Sequence, residues 1–290
     1  YTFPALVWSQ SCESLLSFAE SNIQIDRAEL IAPGAFQPPG GNGNSLRAYE
    51  SLPGFCRVSL TLAPSLDSDI KMELWLPTAS WNGKYLAVGN GAFTGNVRHS
   101  AMAMPLSRGY ATSSTDTGHL GNTASFALGH PEKVYDFGWR AIHEMALASK
   151  RIIAAFYENS LTHSYFTGCS AGGRQAMKEA QRFPTDFDGI VAGAPGLDWT
   201  GRAAASLRIA KYLELNPSAQ LKNPDRTLLH RAALDFCDAD DGVVDGIIGN
   251  PAQCDFSPEA LQCDGENAGA CLSEAQVNTA KMIYSSPINP

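Results

Sequence analysis

Apolar residues along the chain gather in short runs broken by glycine, proline and asparagine. Three of these runs predict strands: residues 71–77 (KMELWLP), 84–89 (KYLAVG) and 110–114. The period then changes. Over residues 134–157, Val134, Phe137, Met145, Ile152, Ile153 and Phe156 supply the buried stripe of one long amphipathic helix. A short strand at 164–167 follows, then the run Gly-Cys-Ser-Ala-Gly-Gly, a helical segment at 174–182 and a strand at 189–194 that ends at Pro195-Gly196. Strand, helix, strand, sharp turn, helix, strand predicts a parallel sheet with helices on its faces, an α/β architecture. Past Gly196 the pattern is different. Helical stretches at 203–215 and 226–236 lead into an aspartate-rich loop and cysteine-closed loops, with no convincing buried strand. The expected organisation is a sheet-bearing part over 1–196 and an inserted lid or cap over 197–290. No internal repeat or low-complexity tract interrupts it.

Composition narrows the setting. A chain of 290 residues is long enough for one large α/β domain or a domain with a sizeable insertion. Its net charge of −8 argues against nucleic acid or an anionic membrane as the main partner. No stretch approaches the roughly 20 apolar residues of a spanning helix. The first residue is Tyr1, with no basic-then-apolar leader, as in a signal-cleaved secreted chain or a trimmed one. Seven cysteines (12, 56, 169, 237, 254, 263 and 271) lack the paired spacing and nearby histidines of a zinc site. Disulfides are the expected use, which points outside the cytoplasm, to an extracellular or bacterial periplasmic location. The count is odd, so one cysteine pairs outside this chain or stays free.

The chemistry centres on Ser170 in Gly168-Cys169-Ser170-Ala171-Gly172. A serine between small neighbours on a cramped strand-to-helix turn has its hydroxyl presented above the sheet. The next amide, Ala171 N–H, opens a helix and can donate to an oxyanion. Cys169 is a weaker rival nucleophile, because it sits beside the apex of the turn. A second oxyanion donor needs a glycine-rich loop after an earlier strand, and Val88-Gly89-Asn90-Gly91-Ala92-Phe93 meets that requirement. The general base is missing. In this turn-and-helix arrangement the acid and histidine follow the serine, yet His99, His119, His130, His143 and His163 all precede it. His230 alone follows, inside a helical segment, and Asp116 with His119 stand in the wrong order. The acid and base are therefore expected on sequence beyond this chain.

An acidic run, Asp238-Ala239-Asp240-Asp241-Gly242-Val243-Val244-Asp245-Gly246-Ile247, suits oxygen-only coordination of Ca²⁺. It is not an EF-hand, since Gly249 stands where the closing glutamate belongs. A solvated acidic turn is the simpler alternative.

Several of these stretches together resemble the tannase and feruloyl esterase family, which includes mono(hydroxyethyl) terephthalate hydrolases. The resemblance is carried by Trp75-Leu76-Pro77 with Trp81-Asn82-Gly83-Lys84, Gly89-Asn90-Gly91 and Thr115-Asp116-Thr117-Gly118-His119. Gly168 through Arg174, Gln181-Arg182-Phe183-Pro184, Asp186 through Pro195, and Cys237-Asp238 through Asp245-Gly246 complete it. It implies an α/β-hydrolase fold with a large lid inserted before the strands that bear Asp and His. It implies disulfides Cys12–Cys56, Cys237–Cys254 and Cys263–Cys271, and pairs Cys169 with a cysteine directly after the catalytic histidine. Structural Ca²⁺ would be held by the Asp238, Asp241 and Asp245 side chains and the Val243 and Ile247 carbonyls. Ala171 N–H and the Gly91–Ala92 loop would form the oxyanion hole, although many relatives have Gly where Ala92 stands. Family members continue well beyond Pro290, some as two disulfide-linked chains, so a C-terminal segment joined through Cys169 is the expected partner.

The function these readings imply is a secreted serine carboxylesterase that forms an acyl-enzyme on Ser170. Hydroxycinnamoyl (feruloyl) esters of plant cell-wall or polyphenol origin are the first expected substrates, galloyl esters the second and a terephthalate monoester the third. A calcium-stabilised binding module that has lost its triad is the rival from another class. An acyltransferase using the same serine is a third reading.

Overall fold

A computed structural model describes residues 11–39, 46–159, 161–264 and 270–285. Two units divide the chain, Tyr1–Leu197 and Asp198–Pro290. The described residues of the first form seven strands: β1 (Ile23–Ile31), β2 (Phe55–Leu62), β3 (Ile70–Pro77), β4 (Lys84–Val88), β5 (Ala111–Thr115), β6 (His163–Cys169) and β7 (Gly189–Gly193). They pair in the order β1-β2-β3-β5-β4-β6-β7.

The parallel sheet read from the sequence is only half of what forms. Strands β5, β4, β6 and β7 are parallel, whereas β1, β2 and β3 pair antiparallel and β3 meets β5 antiparallel. The reason lies in β2. Cys56, Val58, Leu60 and Leu62 are buried while Arg57, Ser59 and Thr61 on the other face are partly exposed, the alternation of a half-covered antiparallel strand. The central strands differ. β3 buries both faces from Met72 to Pro77, and β5 is fully buried although four of its five residues carry hydroxyls. Three of the four hydroxyls find partners: Ser113 Oγ lies 2.6 Å from Tyr85 Oη, Ser114 Oγ accepts from Arg98 N, and Thr115 Oγ1 donates to Lys71 O, while Thr112 Oγ1 is buried without one.

Helices cover both faces. On one, α1 (His99–Ser107) packs Met102 and Leu106 into a cluster with Phe36, Phe55, Trp75 and Val88. On the other, Ile142, Met145, Ile152, Ile153 and Phe156 pack against sheet residues that include Leu74, Tyr85 and Phe166. These come from α3 (Ala141–Tyr157), which is preceded by α2 (Pro131–Tyr135) and a single π turn, Asp136–Arg140. The uninterrupted helix expected at 134–157 is thus corrected. The π turn rotates the helix face, so Val134 is 47% exposed and Phe137 half-buried, while Met145, Ile152, Ile153 and Phe156 are buried. The turn is held from outside: Arg174 donates to the carbonyls of Gly138 and Phe137 at 3.1 and 3.3 Å. A disulfide between Cys12 and Cys56 ties the 3-10 turn Cys12–Ser17 to β2.

In the second unit, α5 (Trp199–Leu215), α6 (Asn223–Cys237) and α7 (Glu274–Tyr284) surround a small apolar centre of Leu229, Leu272, Val277 and Ala280. The first two helices start earlier than their apolar pattern does, because their entry amides find acceptors. Asp198 caps Gly201 N at 3.0 Å, and Asp225 accepts from Lys222 N at 2.8 Å. Disulfides join Cys237 to Cys254 and Cys263 to Cys271. Among the described residues this unit has no strand, only a bridge between Gln262 and Leu272.

Candidate active site

β6 runs directly into α4 (Ala171–Arg182), and Ser170 is the residue between them, at φ +61° and ψ −115°. A side chain rarely occupies that region, so the surrounding backbone must hold it there. It does so from three directions. Ser170 N–H donates to Gly193 O at 3.0 Å, and its own carbonyl accepts from Gly196 N and Arg174 N at 3.1 and 3.0 Å. The flanking glycines are required by close approach. A Cβ on Gly168 would come within 2.4 Å of Gly172 O, and one on Gly172 within 2.9 Å of Asn90 O. Ser170 is consequently exposed, at the edge of a cleft of about 600 Å³ lined by Val88, Asn90, Arg98, Met104, Thr167 and Val191.

Of the amides expected to bind an oxyanion, that of Gly91 lies in the cleft lining, while Ala171 and Ala92 adjoin lining residues. Ala171 is the first residue of α4, where the backbone N–H has no acceptor within the helix and the dipole favours negative charge. Gly91 lines the cleft, and Ala92 next to it has φ +46°. The loop is locked to both neighbouring elements through Asn90, which is 3% exposed. Its N–H donates to Gln175 Oε1 at 3.0 Å, and Gln175 Nε2 donates back to Asn90 Oδ1 at 3.2 Å. Its Nδ2 donates to Thr115 O at 2.7 Å and Asn96 O at 3.1 Å. Gln175 escaped the sequence reading. Its only signal is its position on α4, one turn past Ser170, where a buried amide has no reason to be unless it serves another backbone.

The histidines of this unit are engaged elsewhere. His99 pairs with the buried Glu73 at 3.1 Å, His130 with Asp67 at 3.0 Å, and His119 bonds the carbonyl of Phe93. His163 is exposed at the opposite end of β6 from Ser170. His143 Nδ1 lies 2.6 Å from Asp186, and with Glu179 they form the one group of three whose ligand atoms lie close enough for a metal ion among the described residues. That closeness has another use. Burial first, then the neighbouring Asp186, pushes the Glu179 carboxyl well above the ordinary carboxylate range, so it stays protonated beside the His143–Asp186 pair. Glu73 goes the other way. Its burial would raise its pKa, but His99 and Arg57 hold it down at about 2. Asp116 is held by the amides of Lys71 and Gly118 and does not pair with His119.

Comparison with known proteins gives the chain its family. The profile described as "Tannase and feruloyl esterase" matches residues 56–290. The chain belongs to the tannase and feruloyl esterase family. It is 38% identical over 284 residues to an uncharacterised esterase of Xanthomonas campestris pv. campestris, covering 97% of this chain and 48% of that protein. It is 37% identical over 235 residues to a probable feruloyl esterase B-2 of Aspergillus flavus, covering 79% and 44%. Among solved structures, feruloyl esterase B from Aspergillus oryzae superposes with a TM-score of 0.82 at 33% identity, covering 94% of this chain and 55% of that one. Tannin acyl hydrolase from Aspergillus niger shares the fold, with a TM-score of 0.67 at 22% identity, 92% of this chain and 52% of that one. The mixed sheet with helices on both faces is the α/β-hydrolase fold of these family members. The chain spans about half the length of the relatives it matches.

Two further features read from the sequence fall on described residues. Cys169 is an exposed free thiol next to Ser170. In the acidic loop, Asp238 accepts from Gly246 N and Ile247 N, all at 3.1 Å, while Asp241 accepts from Val243 N and Asp245 from Ile247 N, both at 3.0 Å. Gly242 and Gly246 make the bends at φ +90° and +81°, and the Cys237–Cys254 bond closes the loop. The donor set is oxygen only, which is the set Ca²⁺ takes, while the three carboxylates here are turned to the loop's own amides and are not gathered within ligand reach of one another.

Proposed function

We propose that this chain is the nucleophile-bearing part of a secreted serine carboxylesterase acting on aromatic esters of the hydroxycinnamoyl type. One observation carries the reading: an exposed serine at a left-handed strand-to-helix turn, opening on a cleft that Gly89, Asn90 and Gly91 also line. In the reaction, Ser170 Oγ loses its proton to a histidine and attacks the ester carbonyl carbon. The amides of Ala171 and the Gly91–Ala92 loop bind the negative oxygen, the alcohol leaves with the proton, and water then releases the acid. Each such amide is worth roughly 10²- to 10³-fold in rate.

The histidine and its aspartate come from sequence following residue 290. Two facts support this: the chain covers about half of its relatives, and each histidine of the first unit except exposed His163 already has a partner away from Ser170. The free Cys169 thiol, one residue from the nucleophile, fits a disulfide to that same segment. Three disulfides within the chain fit an oxidising compartment outside the cytoplasm. No helix among the described residues is long and apolar enough to cross a membrane. The second unit is read as the first part of a lid. Its acidic loop would hold structural Ca²⁺ through Asp238, Asp241, Asp245 and the Val243 and Ile247 carbonyls, where the ion would offset the repulsion of neighbouring carboxylates.

The hydroxycinnamoyl preference follows the fungal relatives, which are feruloyl esterases by name, and galloyl esters are second. The test is turnover of a methyl hydroxycinnamate against a methyl gallate by the full-length protein. The expected result is faster release of the hydroxycinnamic acid, lost in Ser170→Ala. Preference for the gallate would make it a tannase, and equal turnover by Ser170→Ala would remove the serine mechanism.

A further inference from the structure

The turn that follows β5 closes onto the loop that follows β4. His119, 5% exposed, places Nε2 2.8 Å from the Phe93 carbonyl oxygen. A carbonyl only accepts, so this nitrogen carries a proton. The ring cannot swing away, because it stacks on Phe126 with centroids 3.9 Å apart and has Nδ1 3.3 Å from Thr117 Oγ1. The peptide that joins Phe93 to Thr94 is held at its other end as well: Thr94 N–H donates to Gly91 O at 2.9 Å, closing a turn over Ala92 and Phe93. Ala92 stands inside that turn at φ +46°, a conformation an L residue keeps only under outside restraint. Two more contacts join the same partners. Gly95 N–H donates to Gly121 O at 2.8 Å, and a Cβ on Gly95 would come within 2.2 Å of the His119 carbonyl oxygen.

We propose that His119 is a positioning residue for ester hydrolysis: its Nε2–H clamps the Phe93 carbonyl and so fixes the Gly91–Thr94 turn whose amides bind the oxyanion. The inference rests on the esterase reading above. His119 itself touches no reacting atom. A fixed turn presents its N–H groups already aimed, whereas a free one must be ordered at each turnover, and that cost falls on the transition state rather than on substrate binding.

The experiment compares wild type, Ser170→Ala, His119→Ala and His119→Gln in the full-length protein. It reads kcat and KM on a methyl hydroxycinnamate, the inhibition constant of phenylboronic acid, and the melting temperature. His119→Ala should lower kcat roughly 10- to 100-fold with KM within about threefold, and weaken the boronate, which forms a tetrahedral adduct, by a similar factor. His119→Gln, whose amide N–H can reach the same carbonyl, should recover kcat to within about fivefold of wild type. A folded His119→Ala with kcat within about twofold of wild type would overturn the inference. So would a folded His119→Gln no faster than His119→Ala, or more than about tenfold slower than wild type where His119→Ala does not fold. A wild type no faster than Ser170→Ala would overturn the esterase reading, and this inference with it.

Discussion

Replacing Gln175 by methionine tests how the oxyanion loop is attached to the nucleophile helix. Gln175 is 2% exposed and its side chain meets Asn90 twice, as acceptor for the backbone N–H at 3.0 Å and as donor to Oδ1 at 3.2 Å. Methionine keeps the length and the apolar packing and removes both partners. Asn90 is 3% exposed, so water does not readily replace them. Each buried group left unpaired costs about 1–3 kcal/mol, for about 2–6 kcal/mol in total. The lower half of that range is expected, because Asn90 Nδ2 keeps its bonds to Thr115 and Asn96. In a unit of this size a loss of about 3 kcal/mol lowers Tm by roughly 6–12 °C. Urea unfolding of wild type, Gln175→Met, Asn90→Ala and the double variant measures the loss and its coupling. The double variant should be less destabilised than the sum of the singles by about 1–3 kcal/mol. A Gln175→Met loss below about 1 kcal/mol, or strict additivity, would refute the lock.

A methyl group at Gly173 would lie 2.4 Å from Gly193 O and 2.7 Å from Pro195 Cα, both backbone, so Gly173→Ala should push α4 off β7. Expect a sharp loss of soluble, active protein; a stable, active variant would contradict this. Burial, against the pull of the Gly118 and Lys71 amides, lifts the Asp116 carboxyl to about 7. Unfolded it titrates near about 3.9, so the folded state binds more protons between those values. Its contribution to stability is complete below about pH 4 and is lost as pH rises through 7. Asp116→Asn keeps the oxygen that accepts from Lys71 and Gly118 and should flatten melting temperature across pH 4–7; a variant as pH-dependent as wild type would contradict the assignment. Chelation by EGTA should lower Tm by several degrees and Ca²⁺ should restore it, as about 2.7 kcal/mol is expected when free ion is 100-fold above its Kd. An unchanged Tm, with no calcium found by mass spectrometry of the purified protein, would remove the ion.

The parallel half of the sheet was legible because its strands are continuous apolar runs between turn residues, as in residues 84–89 and 189–194. The antiparallel half was harder to see. Phe55–Leu62 alternates buried and half-exposed positions, but Arg57, Ser59 and Thr61 dilute a run-based reading. Strand β5 shows the opposite case, since its Thr-Ser-Ser-Thr is polar in sequence yet wholly buried, with three of the four hydroxyls hydrogen-bonded. The π turn at Asp136–Arg140 carries no pattern of its own and depends on Arg174, 34 or more residues away in sequence. At the site, Ser170 and its glycines were readable because the turn tolerates few residue types. Gln175, Asn90 and His119 act on backbone carbonyls and amides, and main-chain partners leave no trace in residue identity.

The central claim is that Ser170 is an activated nucleophile, and covalent labelling tests it most directly. The full-length protein is treated with a fluorophosphonate, digested, and the adduct located by mass spectrometry. A nucleophilic Ser170 gives one adduct per chain, on the peptide that carries Gly168-Cys169-Ser170-Ala171-Gly172, and none in Ser170→Ala. An unmodified Ser170 in a protein that still cleaves esters, or an adduct on a different residue, would contradict it.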